Sequence, residues 1–180
     1  MTRDTAHARF RALVLPHLDD ALTFARWLTG NRTDAEDVTQ DAMMRALAGM
    51  DGFRDGSARA WVLTITRNTA MTWLRRNRPA ALTLVADVAE AEAASTVALE
   101  MRHAEATPET QLLQAETGAQ VRAALAALPL EFREVVVLRD LQGFSYREIA
   151  EILNLPAGTV MSRLARGRVR LTGLLKDLLP

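Results

Sequence analysis

The sequence predicts an all-α chain of two small helical domains joined by a flexible acidic linker, the C-terminal one a helix-turn-helix domain. Three observations carry this. Of the 180 residues, 49% are hydrophobic but only 5% aromatic, and alanine and leucine dominate, a mixture that favours helices. Helix start and stop signals recur along the chain, short polar residues opening apolar runs of helical period and Gly, Asn or Pro closing them. Charge is the third. The chain is neutral overall, yet residues 1–79 hold 12 basic and 9 acidic side chains (+3), residues 80–110 hold 1 and 6 (−5), and residues 111–180 hold 9 and 7 (+2). Two mildly basic blocks with an acidic spacer read as domains 1–79 and 111–180 around a linker at 80–110.

In the first block, Phe10, Leu13, Val14, Leu18, Leu22, Ala25 and Leu28 recur at helical spacing, Pro16 divides the run, and Gly30-Asn31 ends it. Thr33 and Glu36 have the spacing of a capping box for a helix through about Leu47, whose buried stripe is Ala35, Val38, Ala42 and Ala46. Asp37, Gln40, Asp41 and Met44 or Arg45 face outward; acidic residues near a helix start also suit the macrodipole, so that face has a structural reading as well. The glycine-rich loop 49–56 includes Phe53 and Arg54, and Ser57 then caps a helix over Ala58–Asn77. Trp61, Val62, Ile65, Thr69 and Trp73 fall on its core side, although Trp73 suits a nucleic-acid role equally well. Arg67, Arg75 and Arg78 lie within about 80° of one another on that helix, with Asn68, Thr72 and Arg76 nearby. A basic helix with aromatics beside a flexible loop can hold single-stranded DNA, bases stacking on rings while phosphates meet guanidiniums. It can also be a core face with solvated arginines.

The Ala/Glu-rich linker has few large apolar residues and cannot build a core. Thr107-Pro108-Glu109 starts a fresh helix, in which Leu112, Ala115, Ala119, Leu125 and Leu128 lead to Pro129. From about Glu131, Phe132, Val135, Val136, Leu138 and Leu141 form a second helix that Gly143 closes. Ser145 and Glu148 make a capping box for a helix from Tyr146, with Ile149, Ala150 and Leu153 buried and Asn154-Leu155-Pro156 as its break. Pro156 suits the first position of the last helix, on which Ala157, Val160, Leu164 and Leu171 fall within about 60° of one line. Thr159, Ser162 and Arg166 take the opposite side, flanked by Met161 and Ala165. Two hydroxyls and a guanidinium on a small-residue face can enter a major groove, where Arg can bridge a guanine. The alternative is an ordinary helical hairpin with a solvated basic face. Leu174, Leu175 and Leu178 continue this helix and cover the core or meet a partner.

The stretch S-Y-x-E-I-A-E-I-L-x-L-P-x-G-T-V-x-S-R-L-x-R-x-R resembles the C-terminal DNA-reading domain of extracytoplasmic-function (ECF) sigma factors of bacterial RNA polymerase. DAEDVTQDAMMRAL and GFRDGSARAWVLTITRNTAMTWLRR are similar to the promoter-melting domain of the same family. Together the matches cover about 33–78 and 112–172. The resemblance implies that Thr159, Met161, Ser162, Arg163, Ala165 and Arg166 contact the −35 element. It implies that the loop 50–56 captures a flipped −10 base and that Phe53, Arg54, Arg67, Asn68, Thr72, Trp73, Arg75 and Arg76 meet the single non-template strand. Asp37, Gln40 and Asp41 would dock on the clamp helices of core RNA polymerase, and the linker would thread near the active site and RNA exit path. The implied partners are core polymerase, promoter DNA as duplex and single strand, and an anti-sigma factor; no cofactor is implied. Two positions depart from the family: Met161 stands where Lys or Arg is frequent, and Thr39 where an apolar residue is usual.

There is no cysteine for a disulfide or thiolate metal site, and His7, His17 and His103 are scattered surface candidates rather than ligands. No phosphate-cradling glycine loop and no serine–histidine pairing with an orienting acid is present, so a non-enzyme is expected. No apolar run approaches a membrane span and the N-terminus lacks a signal-peptide core, so the expected location is the cytoplasm, without membrane insertion. Two other readings remain from the residues: a helix-turn-helix regulator with an N-terminal sensor or dimerisation domain, and an adaptor whose helices bind only protein. Tight duplex binding without polymerase separates the first of these from a sigma factor.

Overall fold

The computed structural model describes residues 3–78 and 108–178, with side chains over 5–78 and 118–176. Most of the expected linker, His103, and the side chains of Leu112, Ala115 and Leu178 lie outside these described residues. Every regular element in the described residues is helical. The N-terminal block holds α1 (Arg3–Leu13), a 3₁₀ turn (Leu15–His17), α2 (Leu18–Thr29), α3 (Arg32–Ala48) and α4 (Ala58–Asn77). The C-terminal block holds α5 (Pro108–Ala127), α6 (Leu130–Val136), a π segment (Val137–Leu141), α7 (Tyr146–Leu153) and α8 (Ala157–Leu178).

Pro16 sits in the first turn of the 3₁₀ segment and separates α1 from α2, because it has no N–H for a continuing helix. Gly30, at φ 84°, closes α2 and returns its N–H to the Arg26 carbonyl. The cap of α3 is Asn31, whose Oδ1 accepts the Asp34 N–H at 2.9 Å, and not the expected Thr33. With Gly30 already turning the chain, the next extended residue becomes the cap, so the helix begins two residues earlier than the Thr33–Glu36 spacing indicates. Ser57 caps α4 as expected, accepting the Ala60 N–H at 3.2 Å.

Phe24, Trp27 and Leu28 of α2, Val38, Ala42 and Ala46 of α3, and Val62, Leu63, Ala70 and Leu74 of α4 make the first core. The alanines let α3 lie close to its neighbours. Buried Thr66 and Thr69 return their hydroxyls to carbonyls four residues back, at 2.9 and 2.8 Å, so neither leaves an unpaired group in the apolar layer. Trp61, Ile65 and Trp73, expected to face the core, are half-buried at its margin, and Leu18 is exposed.

In the C-terminal block, α5 begins at Pro108, as the Thr107-Pro108-Glu109 signal predicts. Leu125, Leu128, Phe132, Val135, Val136, Leu138, Ile149, Leu153, Val160 and Leu164 are buried. Three stripe positions are corrected: Ala119, Leu141 and Ala157 are exposed. Leu141 leaves the core because the helix widens after Val136, Gln142 N–H bonding the Val137 carbonyl at 3.0 Å five residues back. That widening buries Val137 in its stead. Ser145 and Glu148 form the expected reciprocal capping box. Asn154, in the left-handed region at φ 52°, ends α7. Pro156 precedes α8 instead of opening it, its carbonyl accepting the Thr159 and Val160 N–H groups at 2.9 and 3.1 Å.

The two blocks pack directly on each other, α4 against α7 and α2 against α6, and one contiguous set of buried side chains runs through both. No helix of the described residues is long and apolar enough to cross a membrane.

Candidate nucleic-acid and polymerase interfaces

Helix α8 is built to show one face. Val160 and Leu164 are buried, and Gly167 packs so closely on α6 that an added Cβ would lie 2.9 Å from Val136 Cγ2. Met161, Ser162, Ala165 and Arg166 are consequently exposed, and Thr159 is half-buried. The Ser162 hydroxyl donates to the Thr159 carbonyl at 3.0 Å, which leaves its oxygen lone pairs outward. The cations along α8 divide by role. Arg163 pairs with Glu131 at 3.1 Å, Arg168 forks onto Asp140 with one arm at 3.0 Å, and Arg170 lies 4.6 Å over the Phe132 ring. These three bind α8 to its own domain. Among the described residues Arg166 makes no ion pair or hydrogen bond, so its guanidinium is available to a ligand on the outward face. Arg163, expected beside it, is turned to α6.

The second face surrounds the start and outer side of α4. The loop 49–56 is anchored from beneath: Arg9 donates to the Met50 and Phe53 carbonyls, at 3.3 and 2.6 Å. Met50 is fully buried, and Phe53 is 9% exposed with its ring 4.9 Å from Trp61. Phe53 therefore acts as the loop's anchor, and Asp51, Gly52, Arg54, Asp55 and Gly56 are exposed to solvent. On α4, Asn68, Arg75 and Arg76 are exposed, Thr72 and Trp73 half-buried, and the Thr72 hydroxyl donates to the Asn68 carbonyl at 3.0 Å. Arg78 is held on the N-terminal core, bonding the Thr29 carbonyl at 3.1 Å and Asp34 at 3.0 Å.

Asp37, Gln40 and Asp41 are exposed on α3, Asp41 in a surface pair with Arg45 at 3.0 Å. A cleft between α3 and α4 joins Asp37, Asp41 and Arg45 to Thr72, Trp73 and Arg76. The acidic face and the basic, aromatic face are thus opposite walls of one groove. Sequence periodicity shows each helix face separately, so that adjacency needed the fold.

Arg67 is the site residue whose place differs most from the sequence reading. Its Nε and Nη2 donate to the two carboxylate oxygens of Glu134 on α6, at 3.0 and 3.3 Å. Glu134 is 2% exposed, and burial raises its pKa above the usual carboxylate range, with Arg67 pulling it back down. Beside it, burial lowers Arg133 to about 10, still a cation at neutral pH. Glu134 has no role in the sequence reading, although a carboxylate on the same helical line as Leu130, Val137 and Leu138 is the available signal. Gly167 was missed too; a glycine inside a long helix is costly unless close packing requires it.

Residues 13–80 match the family described as Sigma-70 region 2, and residues 118–171 match Sigma-70, region 4. The ECF RNA polymerase sigma factor SigE of Mycolicibacterium smegmatis is 36% identical over 162 residues, covering 88% of this chain and 58% of that protein. The ECF RNA polymerase sigma factor EcfG of Rhodopseudomonas palustris is 34% identical over 163 residues, covering 90% of this chain and 82% of its own. Among solved structures, the sigma factor RpoE of Bartonella quintana in complex with the anti-sigma factor NepR aligns with a TM-score of 0.71 at 30% identity. That alignment covers 93% of this chain and 96% of the other.

Proposed function

The chain belongs to the sigma-70 family, in its extracytoplasmic-function branch, and we propose that it directs core RNA polymerase to promoters through two separate DNA contacts. It is a transcription initiation factor and not an enzyme. The observation that carries the proposal is the outward face of α8, where Met161, Ser162, Ala165 and Arg166 are exposed while Val160, Leu164 and Gly167 hold the helix by its other side. In this reading that face enters the major groove at the −35 element, Arg166 reading a base edge and Ser162 a base or phosphate. Arg163 then serves by fixing α8 on α6, through Glu131.

The exposed Arg54, Asn68, Arg75 and Arg76, with Thr72 and Trp73, form the path of the melted −10 strand, and Phe53 holds the capture loop in shape from within. Asp37, Gln40 and Asp41 bind the polymerase, since carboxylates repel phosphate and have no favourable role against DNA. An anti-sigma factor is the proposed regulator, on the likeness to a sigma factor solved with one. The cytoplasm, where polymerase works, is the proposed location. Runoff transcription tests the whole reading: core enzyme with a genomic promoter library should yield specific starts only when this protein is added. Tight, specific operator binding with no polymerase requirement would favour a conventional repressor or activator.

A further inference from the structure

Helix α8 turns two different rows of side chains outward. Thr159, Ser162 and Arg166 make a polar row. Met161, Ala165 and Val169 make an apolar row beside it, each four residues and about 40° on from the last. The fold uses none of these three. Among the described residues Val169, 73% exposed, is the most exposed large apolar side chain; Met161 is 51% exposed, and Ala165 is exposed between them. The core is closed by the other side of the helix, through Val160, Leu164 and Gly167. Apolar side chains scattered singly over a surface need no explanation, but a row of them on the face offered to a ligand does. The polar row says what kind of ligand it is. The Ser162 oxygen keeps its lone pairs outward and Arg166 has no partner among the described residues, whereas Arg163, Arg168 and Arg170 are held by Glu131, Asp140 and Phe132. The face therefore combines a guanidinium and a hydroxyl with an apolar strip. The major-groove edge of DNA has the matching chemistry: guanine offers two acceptors to an arginine, and the C5 methyl of thymine is the apolar group displayed there.

We propose that Met161 is a specificity-determining residue that selects thymine by packing on its C5 methyl, with the small side chain of Ala165 leaving room for the base to approach. The −35 element of this protein then carries a thymine chosen by apolar contact and not by a hydrogen bond. The proposal rests on the reading of α8 as the major-groove helix and adds the base that its apolar row selects. Met161 is in the second turn of α8, and Val169 lies about 12 Å farther along the axis. The N-terminal residues of such a helix are the ones that reach base edges, so base reading falls to Met161 and Ala165. An unbranched thioether bends to follow a methyl group that a stiffer side chain would have to meet in one rotamer. Methionine also carries no charge. Position 161 therefore discriminates between bases without adding to the salt-sensitive, sequence-independent attraction for phosphate.

The test uses holoenzyme, this protein with core polymerase, on a duplex promoter recovered from the genomic-library transcription. Each −35 thymine is replaced in turn by deoxyuridine, which keeps the base pair and removes only the C5 methyl. Wild-type holoenzyme should bind one of these promoters about fourfold more weakly, the worth of one buried methyl-sized group. Met161→Ala should weaken binding to the thymine promoter by a similar factor and should bind its thymine and deoxyuridine forms alike. Met161→Arg should also lose the difference, and its binding should fall more steeply with salt, by about one unit of slope. The inference is overturned if the −35 element holds no thymine, if no deoxyuridine weakens wild-type binding, or if the weakening persists undiminished in Met161→Ala. Promoter binding indifferent to both the methyl and Met161 overturns it too and assigns the apolar row to a protein partner. In each of these cases specific promoter binding that still depends on Arg166 leaves the reading of α8 standing. If Ser162→Ala/Arg166→Ala holoenzyme binds promoters as wild type does, α8 has no part in −35 reading and the inference falls with it.

Discussion

Burial strips a carboxylate of water without removing its charge, and at Glu134 the consequence can be measured. Desolvation raises its pKa, opposed by Arg67 and, more weakly, Arg163, while Glu131 adds to the rise. Unfolding returns the group to its ordinary value near 4.5, so the folded protein binds this proton more tightly. Its contribution to stability is therefore fully present below the unfolded pKa and is lost as pH rises through the folded one. Glu134→Gln, a permanent mimic of the protonated form, should gain stability relative to wild type as pH rises across that window. Urea denaturation of both proteins at a series of pH values reads the difference; a flat difference would mean that Glu134 is not titrating anomalously. Arg166 offers the converse case, a charge the fold leaves unused. Arg166→Ala should cost about 1–3 kcal/mol of promoter affinity and relax specificity at one −35 position. The fold should be unaffected, and holoenzyme binding to promoter variants checks both effects.

The elements differ in how much of each was legible. Ser145–Glu148 and Ser57 were read correctly because a cap acts within four residues, inside the range of sequence pattern. Asn31 and not Thr33 caps α3 because Gly30 and Asn31 compete for the same turn, and the earlier signal prevails once Gly30 takes its left-handed φ. Helix α8 shows what periodicity leaves out. The periodic core line passes through Ala157, which is exposed, and leaves out Gly167, against which Phe132 and Val136 pack. Gly167→Ala gains helix propensity but puts a methyl 2.9 Å from Val136 Cγ2 and 3.3 Å from Phe132 Cβ. Overpacking should dominate, costing about 1–3 kcal/mol and tilting α8. Thermal denaturation and −35 binding should both suffer. A variant as stable as wild type would show that α6 yields easily.

For the whole molecule, the groove between α3 and α4 matters most, because the faces proposed for polymerase and for DNA line it together. Asp37→Lys/Asp41→Lys should weaken core-polymerase capture strongly while leaving the melting temperature nearly unchanged, since the Asp41–Arg45 pair is exposed and such pairs contribute little. Full retention on immobilised core enzyme would remove this face from the role. The proposed capture role of the loop 49–56 belongs to the same scale, for melting is read only in the assembled complex. Replacing Arg54 and Gly56 should preserve closed-complex binding yet reduce permanganate reactivity of −10 thymines, and a pre-melted template should restore part of it.

The amino-acid order alone determined the helices, most of their ends, the split into two basic blocks, and the outward face of α8. These are local properties, set by propensity, caps and a 3.6-residue period within one or two turns. The family was legible for the same reason, its motifs being runs of neighbouring residues. Tertiary structure decided which charges are spent within the fold and which remain for a ligand. Arg67 and Glu134 stand 67 residues apart, as do no two groups that a periodic pattern relates, and Arg163 and Arg166 look alike in sequence until α6 places Glu131 beside only one of them. A side chain's charge is written in the chain, but its partner is chosen by packing, where desolvation and geometry fix whether a guanidinium is held or free.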